Sequence, residues 1–362
     1  MAFAGVRGIN RSLAQDLLSK LGSEREFFSA SETQLRYITQ SRARIYSAAY
    51  RKELLERAAA EEQFLKANSV NATYFTSPDY PTRLAECDDA PLMLFTLGNL
   101  DLNAARTVGI VGTRHATAYG IDFTRHLVEE LAEKVDNVVI VSGLAYGIDV
   151  AAHRAALQAK VPTVAVMATG MNSIYPADHR GVAADMVRHG GMLITEYSST
   201  EPIHKGNFVA RNRIVAGLCD CLVVAESAEK GGALITANLA AGYNRDVFAV
   251  PGRITDQYSM GCNRLIAANV AGLVRSADDL CQAMSWPVRE SASAAQAQPS
   301  LPMPLNSDEE LIVNYLAENE DASLSSLTAA TGFAVGKLMS MLIDMEFRGL
   351  LLALPGARYR KV

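Results

Sequence analysis

Between residues 67 and 285 the sequence predicts an α/β domain built on a parallel sheet with helices on both faces. Two observations predict it. Short, almost continuously apolar runs alternate with helical stretches, as strands buried on both faces do. Each gap is also long enough for the helical crossover that parallel neighbours require. A third observation concerns position. Glycine turns follow several of the runs, at the strand ends where such sheets meet ligands.

The elements follow in order. Residues 1–66 read as all-helical, with a short helix from Ser12 to Lys20 between two glycines. Gly8-Ile9 before it resembles a helix-hairpin-helix (or SAM-like) element, which can grip a DNA backbone through turn amides or serve as a structural cap. Residues 41–66 predict one long charged helix, with Ile45, Ala48, Ala49, Leu55, Ala58 and Ala59 on one face. VNATYFTS and the turn PDYP then open the sheet domain. The strand TVGIVGTR (107–114) runs into a glycine turn and a helix over Tyr119–Val135. NVVIVSG (137–143) precedes a helix from Ile148 to Gln158, and TVAVMATG covers 163–170. Helices over Val182–His189, Phe208–Gly217 and Ala233–Ala241 precede the strands GMLITEY, CLVVAE and DVFAVPG. NRLIAANVAGLV closes the domain near 285.

Residues 286–305 hold four of the twelve prolines and little that packs, so they read as a flexible linker. From 306 to 362 the pattern is helix, short helix, longer helix and a two-strand ribbon with a Pro-Gly turn, which is a winged-helix pattern. Ser307 with Glu310 gives its first helix a capping box. The third helix supplies only Lys337 from its first half for a DNA groove, and its MSMLIDM run reads as core or partner surface.

Composition narrows the function. Of 362 residues, 49% are hydrophobic and 20% charged, the balance of a folded, soluble protein. A net charge of -5 argues against non-specific coating of nucleic acid but permits a local basic groove. The five cysteines, Cys87, Cys219, Cys221, Cys262 and Cys281, have no zinc or disulfide spacing and read as buried small hydrophobes. No apolar run approaches a membrane span, and a cytoplasmic location is expected.

The chemistry points to an anion that is held rather than cut. Gly109 and Gly112 have neither dinucleotide nor P-loop spacing, yet Gly112 and Thr113 permit close phosphate approach and Arg114 can fork onto it. Ser142 and Gly143 offer a hydroxyl and an amide after the second strand. Asp149 reads as a helix-start cap, able to pair with His153. Asn172 suits a tight turn, and Tyr175 can stack on a base. Of Arg211-Asn212-Arg213, one guanidinium is expected at the ligand, the other at the sheet edge or Glu226, with Lys205 nearby. Lys230-Gly231-Gly232 opens a helix suited to anion binding. No nucleophile–base pair or metal cluster accompanies these residues, so no enzyme, cofactor or metal is expected.

At these residues the chain resembles the DNA-processing protein A family, also called Smf. The matching segments run in family order over 107–266: GIVGTRHATAYG, VSGLAYGIDVAAHRAAL, GMNSIYP, ITEY, FVARNRIVAGL, VVAES, GGALITA, DVFAVPG and GCNRLI. YPTRL and DAPLMLF extend the match upstream, to about 70–280. The resemblance implies an extended Rossmann-like domain that binds single-stranded DNA during natural transformation. It further implies loading of the RecA recombinase, displacement of single-strand-binding protein, a homodimer and no cofactor. Arg114, the loop from Ser142 to Asp149, and Arg211-Asn212-Arg213 would line the DNA pocket. Three departures stand out. Lys230-Gly231-Gly232-Ala233 replaces a usual Ser-Gly-Ser, Asn269 takes a glycine's place, and GMNSIYP lacks the lysine many relatives carry. The alternative is a nucleotide phosphoribohydrolase-like enzyme, whose PGGxGTxxE pattern needs a glutamate where EKGGALITAN has Asn238. A scaffold without DNA contact is the third reading.

Overall fold

The structure is a computed structural model describing residues 1–40, 43–103, 105–289, 305–319, 321–348, 350–354 and 357–361. It divides into two units, 1–291 and 292–362. Most of the expected linker, residues 290–304, lies outside the described residues, as does the Pro355-Gly356 turn.

The first unit begins with helices α1 (Arg11–Leu21), α2 (Glu24–Ser29), α3 (Glu32–Thr39) and α4 (Ala48–Ala67). Phe3, Leu17, Phe27, Leu35, Tyr46 and Leu54 form their shared core, which Leu92 of the sheet region joins. The apolar face expected for the long helix is not the one that packs. The helix starts only at Ala48, and its buried residues are Arg51, Leu54, Glu61 and Leu65, while Leu55 is exposed. Two polar anchors choose the face: Arg51 donates to Phe27 O (2.6 Å) and Phe28 O (3.0 Å), and Glu61 accepts from Ser199.

The sheet has nine strands: β1 (Asn71–Tyr74), β2 (Met93–Leu97), β3 (Arg106–Gly112), β4 (Val138–Ser142), β5 (Thr163–Val166), β6 (Met192–Thr195), β7 (Cys221–Glu226), β8 (Asp246–Ala249) and β9 (Gly272–Leu273). Their order is β1-β2-β6-β5-β4-β3-β7-β8-β9. From β6 to β9 every pairing is parallel, as the apolar runs predict. The β1–β2 hairpin extends the sheet antiparallel past β6, an edge that the alternation does not reveal.

The connecting helices are α5 (Thr82–Ala85), α6 (Ala118–Lys134), α7 (Ile148–Gln158), α8 (Arg180–Arg188), α9 (Lys205–Ala210), α10 (Asn212–Leu218), α11 (Gly232–Gly242), α12 (Met260–Ala267) and α13 (Ala277–Ala283). Successive strand residues serve opposite faces. Val139 and Val141 join the core with α10 and α11, while Val138 and Ile140 join the core with α6, α7 and α13. The helix expected over Phe208–Gly217 is two helices that meet at Arg211. All five cysteines are buried.

In the second unit, α14 (Ser307–Glu318), β10 (Ala322–Ser323), α15 (Leu324–Thr331) and α16 (Val335–Phe347) precede β11 (Leu351–Leu354) and β12 (Arg358–Lys361). The ribbon is joined by β10 into an antiparallel sheet of order β10-β12-β11. The capping box sits one residue earlier than the sequence pattern suggests. Asn306 Oδ1 accepts from Glu309 N (2.9 Å), and Glu309 returns a bond to Asn306 N. Extended Asn306 fills the cap, and Glu309 turns inward to pair with Arg348. Lys337 is engaged by Asp308 (2.7 Å) and lies over the Phe333 ring.

Candidate functional site

The order reverses between β3 and β7, because β3 leads through β4 and β5 in one direction and β7 through β8 in the other. The crevice beyond the carboxyl ends of strands at such a point is where α/β sheets take ligands. Here the protein occupies it. Glu226, buried at the end of β7, accepts from Thr117 N (2.9 Å) and Thr117 Oγ (2.5 Å) at the start of α6. Thr113 N donates to Glu226 O (2.8 Å). A dinucleotide's pyrophosphate would meet a carboxylate at that helix end.

Several residues expected to meet a ligand are engaged in the protein's own packing and hydrogen bonds. Ser142 is fully buried and donates its hydroxyl to Ile110 O (2.6 Å). The buried Gly143 turns its amide to Asp149. Gly112 is required by packing, since a Cβ there would lie 2.7 Å from Ile148 Cβ. Thr113, half-buried, donates its amide to Glu226 O, and its hydroxyl oxygen accepts from His115 N (3.1 Å). Gly147, at φ +75°, brings the β4–α7 loop against the 113–114 backbone, and a Cβ there would lie 2.8 Å from Arg114 Cα.

The Arg211-Asn212-Arg213 expectation also needs correction. Arg211 is only 4% exposed, and its Nη1 donates to Gly143 O and Val166 O. It faces Asp149, whose carboxyl is pushed up by burial and held down by Arg211. Asn212 Oδ1 accepts from Arg211 Nε (3.3 Å). Arg213 pairs with Glu196, not Glu226, and donates to Asp89 O (2.6 Å). Arg211 therefore ties the α9–α10 junction to the ends of β4 and β5, and Arg213 ties α10 to the segments after β6 and before β2. Asp149 and His153 do not pair either. Thr163 Oγ donates to Ile140 O, so it accepts from His153 Nδ1 (2.7 Å).

What reaches solvent is a smaller set. Arg114, Lys205 and Lys230 are exposed, and among the described residues none of them makes an ion pair. Lys205 begins α9, and Lys230 precedes Gly231, the N-cap of α11, whose first turn has no side-chain cap. Gly231 is half-buried, while Gly232 and Asn172 are exposed. Tyr175 is 53% exposed, with its ring edge-on to Phe208 at 5.0 Å. All these residues follow the carboxyl ends of β3, β5, β6 and β7.

A profile described as DNA recombination-mediator protein A matches residues 71–285. The chain belongs to that family. It is 37% identical over 276 residues to DNA processing protein DprA of Bacillus subtilis, covering 75% of this chain and 91% of that one. It is 43% identical over 201 residues to the Streptococcus pneumoniae protein of the same name, covering 56% and 70%. The solved structure of the latter superposes with a TM-score of 0.63 at 33% identity, covering 77% of this chain and 94% of that one. DNA processing protein A of Helicobacter pylori, described for its single-stranded DNA binding mode, superposes with a TM-score of 0.53 at 28% identity, covering 60% and 95%.

Two aromatic residues of this family member, Tyr146 within the 142–149 loop and Phe208, are not singled out by the sequence reading. Tyr146, in the β4–α7 loop, is 44% exposed, donates to Asp178 (2.9 Å) and stacks edge-on against His179. Phe208 meets Tyr175 from α9. Phe208 reads as an ordinary apolar helix position, and only its contact with Tyr175, from a loop distant in sequence, marks it out. Among the described residues no group of His, Cys, Asp or Glu could hold a metal ion, and no single helix is long and apolar enough to cross a membrane.

Proposed function

We propose that this protein binds single-stranded DNA irrespective of sequence and loads the RecA recombinase onto it during natural transformation. The observation that carries the reading is the set of exposed cations Arg114, Lys205 and Lys230, which make no ion pair among the described residues, together with the exposed rings of Tyr146 and Tyr175 and the half-buried Phe208 against Tyr175, on one end of the sheet of a family member. Fixed cations hold phosphates whatever the base, and aromatic faces stack on any base. The uncapped amides of α11 add donors for a phosphate. Arg211, Asn212, Arg213, Ser142 and Gly143 serve from beneath, by fixing the loops that carry these groups. The protein acts in the cytoplasm as a homodimer, without cofactor or catalysis, and displaces single-strand-binding protein. We divide it into a helical module (1–66), the DNA-binding domain (67–285), a linker (286–305) and a winged helix (306–362).

Fluorescence anisotropy on unrelated labelled strands tests the reading. Affinity should fall as salt rises, and Arg114→Ala should weaken every sequence by about tenfold, consistent with loss of a charge-assisted contact. A strong preference for duplex over single strand would overturn it. Recombinase loading is tested separately, by RecA filament formation on strands precoated with single-strand-binding protein.

A further inference from the structure

The N-terminal helices touch the sheet through a buried carboxylate that the proposed DNA site does not use. Glu61, on α4, is 4% exposed, and among the described residues it pairs with no cation. Both its oxygens accept from Ser199 N (2.9 and 3.0 Å), and Oε2 also accepts from Ser199 Oγ (2.6 Å). A buried carboxylate without a counter-ion is unfavourable unless hydrogen bonds replace its water, and all three here go to one residue.

That residue is a junction. Ser199 lies in the β6–α9 loop, six positions before Lys205. The same backbone passes directly over Gly170, where a Cβ would lie 2.9 Å from Ser199 Cα. Gly170 opens the segment that carries Asn172 and Tyr175. Met171, beside it, packs against the small core cluster to which Leu65 of α4 belongs. Asn207 of α9 reaches back to Ala168 O (3.4 Å). One helix of the N-terminal module thus holds two loops, and those loops carry Lys205, Phe208 and Tyr175. At its other end Arg51 fastens α4 to the α2 carbonyls. Ten residues of helix, about 15 Å, separate the two anchors.

We infer that α4 is a brace for the DNA-binding face and that Glu61 is a positioning residue, acting through Ser199 on the loops at 168–176 and 196–208. The inference rests on the reading of that face as the DNA site. It predicts that removing a contact remote from the strand lowers affinity by loosening the loops.

The test uses the full chain, with single-strand affinity and amide hydrogen exchange measured together. Glu61→Ala should weaken binding by about tenfold, the scale of coupling through a packed network. Exchange should quicken at 168–176 and 196–208, while α1 stays protected. Glu61→Gln, which keeps one acceptor oxygen on Ser199 N, should restore part of both. Ser199→Ala, which deletes only the hydroxyl, should give a smaller change in the same direction and serves if Glu61→Ala does not fold. A lower unfolding temperature with unchanged affinity and unchanged exchange in the two loops would overturn the inference and leave Glu61 a structural anchor alone. If the wild-type protein binds no single strand, the DNA reading fails. The exchange data then decide the brace by themselves, supporting it if the two loops quicken and overturning it if they do not.

Discussion

Arg114 and Arg211 are the same residue type and lie at the same end of the sheet, yet the fold gives them opposite tasks. Arg114 stands exposed after β3 with no ion pair among the described residues, whereas Arg211 is buried against Gly143 O and Val166 O. Arg114→Ala should therefore change binding and leave stability nearly intact. Arg211→Ala should do the reverse first. It leaves two carbonyls and the facing Asp149 without their cation, at a cost of about 3–5 kcal/mol, read as a lower denaturant midpoint. His153 supplies a pH-dependent counterpart. Burial, with Arg211 and His179 nearby, lowers its pKa from 6.5 to about 3. Below pH 6.5 the unfolded chain takes up a proton that the folded chain refuses, so stability should fall as pH drops from 6.5 towards 3. Chemical denaturation across that range should show the loss, and His153→Gln should flatten it.

At the scale of elements, the start of α6 shows how a site can be filled by its own fold. Thr117 caps the helix, and Glu226 holds Thr117 by two bonds. Thr117→Ala should destabilise the protein by about 1 kcal/mol, the usual value of a cap, and somewhat more because Glu226 loses a buried donor. Equilibrium unfolding in urea measures it. The elements themselves were largely readable. Apolar runs marked β3 to β8, and the helix over Ile148–Gln158 has the ends its sequence suggests. The face of α4 was not readable, because Arg51 and Glu61 carry the pattern of solvent-facing charges and are buried only by partners distant in sequence. The break at Arg211 has the same origin, since its carbonyl partners come from β4 and β5.

For the whole molecule, the apolar residues Leu265, Ile266, Val270 and Leu273 show how the end of the domain divides between core and surface. Leu265 is buried in the main core, Ile266 and Val270 pack against it, and only Leu273 is exposed, on the edge strand β9. Leu265→Glu should accordingly lower stability by about 3 kcal/mol or more rather than simply separate subunits, because it buries an unpaired charge. Sedimentation and thermal unfolding distinguish the two, since a mere seam variant would be a well-folded monomer. The sequence alone determined the α/β class, the parallel core of the sheet and the candidate motifs, because these follow from local apolar period and from glycine at strand ends. It also placed Arg114, Tyr175 and Lys230 on loops, whereas Lys205 begins α9. Only the tertiary structure decided which of the motif's polar groups face out. Burial and hydrogen-bond partners are set by neighbours far apart along the chain. Thus Ser142, Gly143 and Arg211 became supports, Glu226 filled the crevice, and Phe208 met Tyr175.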